Sequence, residues 1–151
     1  MEAKDQAGWS PLLIALRRVA ARHRGTYDWE KIVESLLQAG ADANGAVEVA
    51  AGEGLTTLTA LHLAVESGNN TAVKLLIEHH ADPEVRNQEG LTPLLAIISP
   101  CQRLTQKQRE MVCILLAAGA DGNATGGKYG SILQAAAHHG GEFLVHELLQ
   151  H

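Results

Sequence analysis

The chain has 151 residues, a length typical of one domain. Apolar residues make up 46% of it, which excludes intrinsic disorder, and aromatic residues only 3%, which favours closely packed small helices over an aromatic-rich β-sandwich. The net charge of −5 argues against a general binder of nucleic acid or anionic membrane, and no apolar run approaches the roughly 20 residues that span a bilayer.

Cysteine content points to a reducing compartment. Cys101 and Cys113 are too few for a disulfide framework, and the first residues, Met1–Asp5, form no apolar signal stretch. We therefore expect a cytoplasmic or nuclear protein.

Four segments along the chain open with the same pattern, a Ser or Thr followed two residues later by Leu. They are Ser10-Pro11-Leu12, Thr59-Ala60-Leu61, Thr92-Pro93-Leu94 and Ser131-Ile132-Leu133. A hydroxyl at this place accepts a hydrogen bond from a backbone N–H in the first turn of a helix. Each segment therefore predicts the start of an inner helix.

Three later segments close alike, at Leu36–Asp42, Leu76–Asp82 and Leu115–Asp121. Gly40 and Gly119 follow the predicted outer helices where a left-handed residue is wanted, and glycine has no Cβ to oppose that conformation. The equivalent residue of the second segment is His80. A non-glycine residue there should cost about 1 kcal/mol.

The outer helices repeat one apolar pattern, in which two adjacent residues are followed three residues later by another pair. The pairs are Ile32-Val33 with Leu36-Leu37, Ala72-Val73 with Leu76-Ile77, Met111-Val112 with Leu115-Leu116, and Leu144-Val145 with Leu148-Leu149. This spacing places all four residues on one helical stripe. Between the pairs lie Glu34, Lys74, Cys113 and His146, which we expect to point outward.

Small residues recur on the inner helices. Ala15, Ala64 and Ala136 would let neighbouring helices approach closely, and Ile97 is the exception. One two-helix unit cannot cover its own apolar stripe, so the units are expected to stack.

Together these patterns resemble the ankyrin repeat, with its period of about 33 residues and its T-P-L-H-x-A helix start. The resemblance implies a mainly α fold, a solenoid of stacked helix-turn-helix units joined by β-hairpin-like loops. The predicted domain covers residues 1–151, with units of about 4–44, 45–87, 88–124 and an incomplete 125–151. Tyr129-Gly130 followed by Leu133-Gln134-Ala135-Ala136 also resembles repeats of filamentous-fungal ankyrin arrays.

Unequal spacing between the units predicts where extra loop residues lie. Relative to the family period, the first unit carries nine extra residues between its helices, and the hairpin that follows carries seven. The third unit carries six extra residues between its helices. Stacked repeats tolerate insertions at such positions because loops run over the surface.

Motifs that suggest chemistry have plainer interpretations. Gly122–Lys128 matches G-x-x-x-x-G-K, but Tyr129 stands where magnesium binding needs Ser or Thr, and no strand is predicted before it. The glycines instead favour a tight hairpin turn. The adjacent histidines, His79-His80 and His138-His139, would point about 100° apart on a helix, which is unsuited to one metal. We predict no cofactor and no metal site.

Catalysis needs a nucleophile, a base and an orienting group that converge on a pocket. Cys113 with a histidine is one candidate pair, but the repeat pattern puts Cys113 on an outer face. No catalytic residue is predicted, and the chain is expected not to be an enzyme.

Ankyrin proteins generally bind other proteins on a concave surface of hairpin tips and inner helices, so the resemblance implies a protein-interaction scaffold. The predicted partner-binding residues are Trp9, Arg17, Arg18, Leu58, Glu66, Arg86, Gln88, Leu91, Lys128, Tyr129, His138 and His139. Trp9 and Tyr129 have an alternative role in packing between hairpins. Instead of contacting a partner, Arg17 and Arg18 could simply belong to a solvent-exposed extension of the helix.

A second hypothesis is a small-molecule binder or accessory enzyme whose pocket is formed by the two inserts, residues 17–30 and 99–108. A closed apolar cavity with a buried polar cluster at the inserts would favour it, and a smooth groove would favour the scaffold. The expected partner is a protein, with no nucleic acid and no membrane. The chain is expected to be a monomer or to associate end to end.

Overall fold

A computed structural model describes residues 4–20, 28–51, 54–98, 104–127, 130–138 and 141–150. The elements in chain order are α1 (Pro11–Ala20), α2 (Trp29–Gln38), β1 (Ala46–Ala51), β2 (Gly54–Thr59), α3 (Ala60–Ser67), α4 (Asn70–Glu78), α5 (Pro93–Ile98), α6 (Gln106–Ala117), α7 (Ile132–His138) and α8 (Glu142–Gln150). They form two compact units, Met1–Asp82 and Pro83–His151. The predicted mainly helical fold is confirmed.

In the first unit, α1 packs against α2 and α3, and α4 packs against α2 and α3. Val33 and Leu37 of α2 are buried, as are Val73 and Leu76 of α4. The predicted apolar stripe therefore forms the core here. Ala15 and Ala64, the small residues of the inner helices, are buried as well.

The hairpin between the first two helix pairs contains β1 and β2. The strands pair antiparallel, from Ala46 opposite Thr59 to Ala51 opposite Gly54. Val47 of β1 is buried, and a Cβ added at Gly8 would lie 3.6 Å from its Cγ2. The extra residues predicted in this hairpin thus lengthen a two-stranded ribbon whose base packs on the loop before α1.

In the second unit, α5 packs against α6 and α7, and α7 packs against α8. The buried residues of the two outer helices are Met111, Val112, Leu115, Leu116, Leu144 and Leu148. A β-bridge joins Thr125 to Ser131, and the Gly126 N–H donates to the Gly130 carbonyl oxygen at 2.8 Å. These contacts place Thr125 and Gly126 in a tight turn before α7, as the glycines of this segment predicted, whereas Lys128 lies outside the described residues.

All four predicted hydroxyl caps are confirmed. The donor–acceptor distances are 3.4 Å from the Leu13 N–H to Ser10, 3.3 Å from His62 to Thr59, 3.3 Å from Leu95 to Thr92, and 3.1 Å from Gln134 to Ser131. Each hydroxyl satisfies an N–H that would otherwise have no partner within its helix.

The predicted left-handed residues after the outer helices are also confirmed. Gly40 has φ +86°, Gly119 has φ +89° and His80 has φ +65°. Among the described residues His80 is the one non-glycine residue with positive φ. The second helix pair therefore ends in the same turn as its neighbours but with a strained residue.

Two expectations for the outer helices are wrong. Cys113 was expected to point outward, but it is half-buried, and its Sγ lies 3.6 Å from Oε2 of Glu147 on α8. Leu149 was expected to be buried with its stripe, but it is 73% exposed. The reason is the same for both residues. In the second unit, α8 lies close enough to α6 to cover Cys113, and Leu149 is on the side of α8 that these contacts leave open.

Candidate functional site

Trp9 and Arg17 come together in the first unit. The Asp5 carboxylate accepts hydrogen bonds of 2.9 Å from the N–H groups of Ala7 and Trp9, which fixes the loop before α1. Trp9 is then 7% exposed, and the Arg17 guanidinium carbon lies 4.8 Å above the centroid of its ring. This geometry is a cation–π contact, worth about 0.5–1 kcal/mol at an exposed site.

Arg17 and Arg18 are both exposed in the last turn of α1. Ile14, one turn earlier, is 38% exposed. Residues three and four apart lie on one helix face, so these three side chains form one surface, which we call the α1 face. Sequence reasoning missed Ile14, although its spacing from the two arginines could have revealed it.

The other predicted residues of the first unit differ in exposure. Leu58 is half-buried on β2, where it pairs with Val47 of β1. Glu66 is exposed near the end of α3, the inner helix that packs on α1.

Arg86 has a structural role within the second unit. Its Nη1 donates to the carbonyl oxygens of Gly90, at 2.8 Å, and Thr125, at 2.9 Å. The side chain thereby joins the turn before α5 to the turn before α7. Of the remaining predicted residues in this unit, Gln88 is exposed in the turn before α5 and His138 is exposed at the end of α7.

Two of the predicted contacts are largely buried. Trp9 and Leu91 are each only 7% exposed, so little of either side chain is accessible to a partner. Lys128, Tyr129 and His139 lie outside the described residues. The two inserts are described only over residues 17–20, 28–30 and 104–108, so the second hypothesis stays a prediction.

An open depression of about 480 Å³ lies in the second unit, between α7 and α8. Its lining consists of Ala136, Ala137, Gly141, Glu142, Val145, His146 and Leu149. The depression is apolar and shallow, and none of the described insert residues lines it.

Cys113 lies half-buried on α6, next to Glu147 of α8. Burial raises the pKa of its thiol, and the neighbouring Glu147 carboxylate raises it further. The thiol is therefore kept neutral and donates to the carboxylate. A reactive cysteine needs the opposite environment, one that stabilises the thiolate.

The described part of the chain contains no group of three or more His, Cys, Asp or Glu side chains arranged to hold a metal ion. None of its helices has the length and apolar character needed to cross a membrane.

Comparisons with known proteins agree with the repeat pattern. A family model of ankyrin repeats, in three copies, matches residues 18–126, which is well over half of the chain. The rice BTB/POZ domain and ankyrin repeat-containing protein NH5.2 is 43% identical over 63 residues, which cover 42% of this chain and 12% of the rice protein.

Two further relatives match over similar lengths. The Arabidopsis thaliana Regulatory protein NPR6 is 41% identical over 64 residues, 42% of this chain and 13% of the relative. The mouse 2-5A-dependent ribonuclease is 41% identical over 63 residues, 42% of this chain and 8% of the relative. The match thus spans about an eighth or less of each relative. With the family model covering most of its helices, the chain belongs to the ankyrin repeat family.

Proposed function

We propose that this chain is a non-enzymatic interaction scaffold that binds a protein or peptide through the exposed side of its inner helices. Ankyrin repeats are generally protein–protein interaction modules, and the family is typically non-enzymatic. One relative is named a regulatory protein, and others combine ankyrin repeats with a BTB/POZ domain. These similarities support a role in binding.

The observation that carries the proposal is the α1 face. It presents two exposed cations, Arg17 and Arg18, beside the exposed aliphatic side chain of Ile14. Arginine is enriched among the residues that dominate binding energy because its planar group can donate two parallel hydrogen bonds to a carboxylate. The face therefore suits a partner that presents a carboxylate next to an apolar side chain.

Trp9 contributes to this surface indirectly. Its buried ring holds the Arg17 guanidinium 4.8 Å from the centroid, so that side chain is partly ordered before any partner binds. Ordering a long side chain on binding costs about 0.5–1.5 kcal/mol, and a stacked arginine has already lost part of that freedom. We assign Trp9 a positioning role and Arg17 the direct contact.

Glu66 extends the proposed surface onto α3. It is exposed, and α3 packs directly on α1. An acidic side chain on the neighbouring helix would disfavour partners that present only negative charge. Gln88 and His138 stay predicted contacts of the second unit, whereas Arg86 is unsuited to a clean binding test because it joins two turns.

Affinity capture with matched charge variants tests the proposal. Wild-type chain, the double variant Arg17→Ala/Arg18→Ala and the control Lys31→Ala/Lys74→Ala are immobilised at equal density, and captured proteins are quantified by mass spectrometry. Both variants lose two exposed cations, but Lys31 and Lys74 lie on the outer helices α2 and α4.

A specific partner should be retained by wild type and by the control, and reduced about tenfold or more by the α1 variant. Arg17→Lys should give an intermediate loss because lysine keeps the charge but not the planar guanidinium. Thermal melts of each variant show whether the fold is intact. Equal capture by the folded α1 variant and the control would overturn the assignment of this surface.

A further inference from the structure

The side chain of Asn44 connects the turn after α2 with the turn after α4. Its Nδ2 donates to the carbonyl oxygen of His80 at 3.1 Å, and its Oδ1 accepts from the N–H of Asp82 at 2.7 Å. An asparagine can do both because its amide carries a donor and an acceptor. We call these two hydrogen bonds the Asn44 bridge. They fix which way the amide faces, since one partner is an acceptor and the other a donor.

Gly45 follows Asn44 in a turn that is crowded at this position. A Cβ added at Gly45 would lie 3.0 Å from the carbonyl oxygen of Asp42, closer than nearly all contacts that a Cβ makes. The Gly45 N–H donates to the same oxygen at 3.0 Å, and the Gly45 carbonyl oxygen accepts from the N–H of Ala60 at 3.0 Å. The turn therefore favours glycine at position 45, while the bridge requires an amide at position 44.

Asparagine followed by glycine is a chemically labile pair, and Asn44-Gly45 is the one such pair in the sequence. The glycine N–H loses its proton to hydroxide, and the nitrogen attacks Cγ of the asparagine. The new N–Cγ bond closes a cyclic imide, the Cγ–Nδ2 bond breaks, and the departing nitrogen takes up a proton and leaves as ammonia. Water then opens the imide at either carbonyl to give aspartate or isoaspartate. Glycine has no Cβ to hinder this attack.

We propose that Asn44 is a site of deamidation whose rate is controlled by the Asn44 bridge. While the bridge is formed, Cγ of Asn44 is held toward His80 and Asp82. The attacking nitrogen of Gly45 is engaged as well, since its N–H donates to Asp42. The reaction therefore requires this turn to open locally.

The product cannot restore the bridge. The carboxylate of aspartate has no N–H to give to the His80 carbonyl oxygen, and it places a negative oxygen where the amide nitrogen lay 3.1 Å away. A transient opening is thereby converted into a permanent loss of contact between the two turns. The proposal concerns only the first unit and does not depend on the partner surface proposed for α1.

The turn after α6 has the same backbone geometry and supplies a matched control. The Asn123 N–H donates to Oδ1 of Asp121 at 2.8 Å, and the Ala124 N–H donates to the Asp121 carbonyl oxygen at 3.0 Å. The corresponding distances in the turn of Asn44 are 2.9 and 3.0 Å. Among the described residues, no hydrogen bond reaches the Asn123 side chain. Ala124→Gly therefore creates a second Asn-Gly pair without a bridge.

The first test is peptide mass spectrometry of full chains incubated in heavy-oxygen water at mildly alkaline pH. Opening of the imide places a solvent oxygen in the product, so each deamidation that occurs during the incubation is labelled. In folded Ala124→Gly, Asn123 should react at least about tenfold faster than Asn44, whereas in urea the two rates should agree within about threefold. In wild type, unfolding in urea should speed the reaction of Asn44 at least about tenfold.

The second test measures the consequence of the reaction by urea denaturation. Asn44→Asp reproduces one product and should lower the ratio of folded to unfolded chain about three- to tenfold, because the His80 carbonyl oxygen loses its donor. The control Asn123→Asp makes the same change of charge in the matched turn and should alter this ratio by less than about twofold.

Four results would overturn parts of the proposal. An Asn44 that stays intact in urea would overturn the site itself. Equal rates for Asn44 in the folded and the unfolded wild type, or for Asn44 and Asn123 in folded Ala124→Gly, would overturn the control by the bridge. An Asn44→Asp variant as stable as wild type would overturn the loss of contact. Circular dichroism reports whether each variant is folded, and the wild-type comparison stands without any variant.

Discussion

The second and fourth helix pairs begin from the same sequence pattern and end in different surroundings. Helix α3 buries six of its eight residues, Ala60 to Val65, whereas α7 buries three of seven, Ile132, Ala135 and Ala136. The outer helices differ in the same way, because Val73 is fully buried and Val145 is not. The sequence pattern therefore specifies a helix pair, while the packing of neighbouring helices determines how much of that pair is buried.

A single position shows the same difference. His62, at the fourth residue of the T-P-L-H pattern, is fully buried, and its Nδ1 lies 2.7 Å from Oγ1 of Thr59. The fourth pair has Gln134 there, and Gln134 is exposed. The buried position is occupied by His62, whose ring both packs in the core and makes a hydrogen bond. The exposed position needs only a residue that favours helix, such as Gln134.

The largest expected effect separates two leucines at one repeat position. Leu116→Ala should destabilise the chain by about 2–5 kcal/mol because the side chain is almost fully buried. Leu149→Ala should change stability by less than about 0.5 kcal/mol, since that leucine is exposed. Urea denaturation, at a concentration where the chain is monomeric, measures both values. Similar losses at the two positions would contradict the comparison.

Smaller losses are expected at the helix caps. Thr59→Val removes the hydroxyl that accepts from the His62 N–H and faces its Nδ1 in a buried site, and should cost about 2 kcal/mol. Ser131→Ala removes the less buried cap of α7 and should cost about 0.5–1 kcal/mol. The same denaturation experiment compares them. A larger loss of unfolding free energy at Ser131 than at Thr59 would mean that burial does not determine how much a helix cap stabilises the chain.

A gain in stability is expected at His80, where the second helix pair carries backbone strain. His80→Gly should stabilise the chain by about 1 kcal/mol because φ +65° is unfavourable for a side chain. The hydrogen bond that the His80 carbonyl accepts from Asn44 uses the backbone and survives the change. Gly119→Ala, at φ +89°, is the reverse control and should destabilise by a similar amount. A melt of His80→Gly with no gain would indicate a compensating side-chain contact.

The smallest expected effect is a change in the alkylation rate of Cys113, the α6 residue that lies against α8. Because burial and then Glu147 raise the pKa of the thiol, the folded state favours the protonated form. The protonated Cys113 thiol therefore contributes to the stability of the folded state. This contribution is fully present below the ordinary pKa of a thiol and is lost as the pH rises through the raised pKa of Cys113 in the folded state. Glu147→Gln should lower this pKa and speed alkylation of Cys113 at pH 8 about two- to fivefold.

Iodoacetamide labelling in a Cys101→Ser background isolates the rate of Cys113. Glu142→Gln, which removes an exposed carboxylate at the start of the same helix, is the matched control and should leave that rate unchanged. An unchanged rate in Glu147→Gln would show that burial alone sets the pKa.

Local features of the fold could be predicted because they depend on neighbours in sequence. The caps at Ser10 and Thr92 and the left-handed residue His80 follow from which groups a helix end must satisfy. The lengthened hairpin also followed from spacing, since residues beyond the repeat period must lie in loops. These are the parts of the molecule where local and global preferences agree.

The candidate site was harder to predict because it depends on which side chains meet. Trp9 and Arg17 were each predicted as partner contacts, but sequence gave no sign that one stacks on the other. Arg86 was predicted only as a partner contact, because its two carbonyl partners, Gly90 and Thr125, lie far apart in the chain. Leu149 was assigned to the core because its pattern matches Leu116, and nothing local tells a covered repeat from an open one.

Backbone hydrogen exchange measured segment by segment tests the central claim that stacking, not the repeat pattern, sets local stability. At a concentration where the chain is monomeric, amides of α4 around Val73 and Leu76 should exchange at least about tenfold more slowly than those of α8 around Val145 and Leu149. Equal protection of the two helices, or stronger protection of α8, would contradict the account.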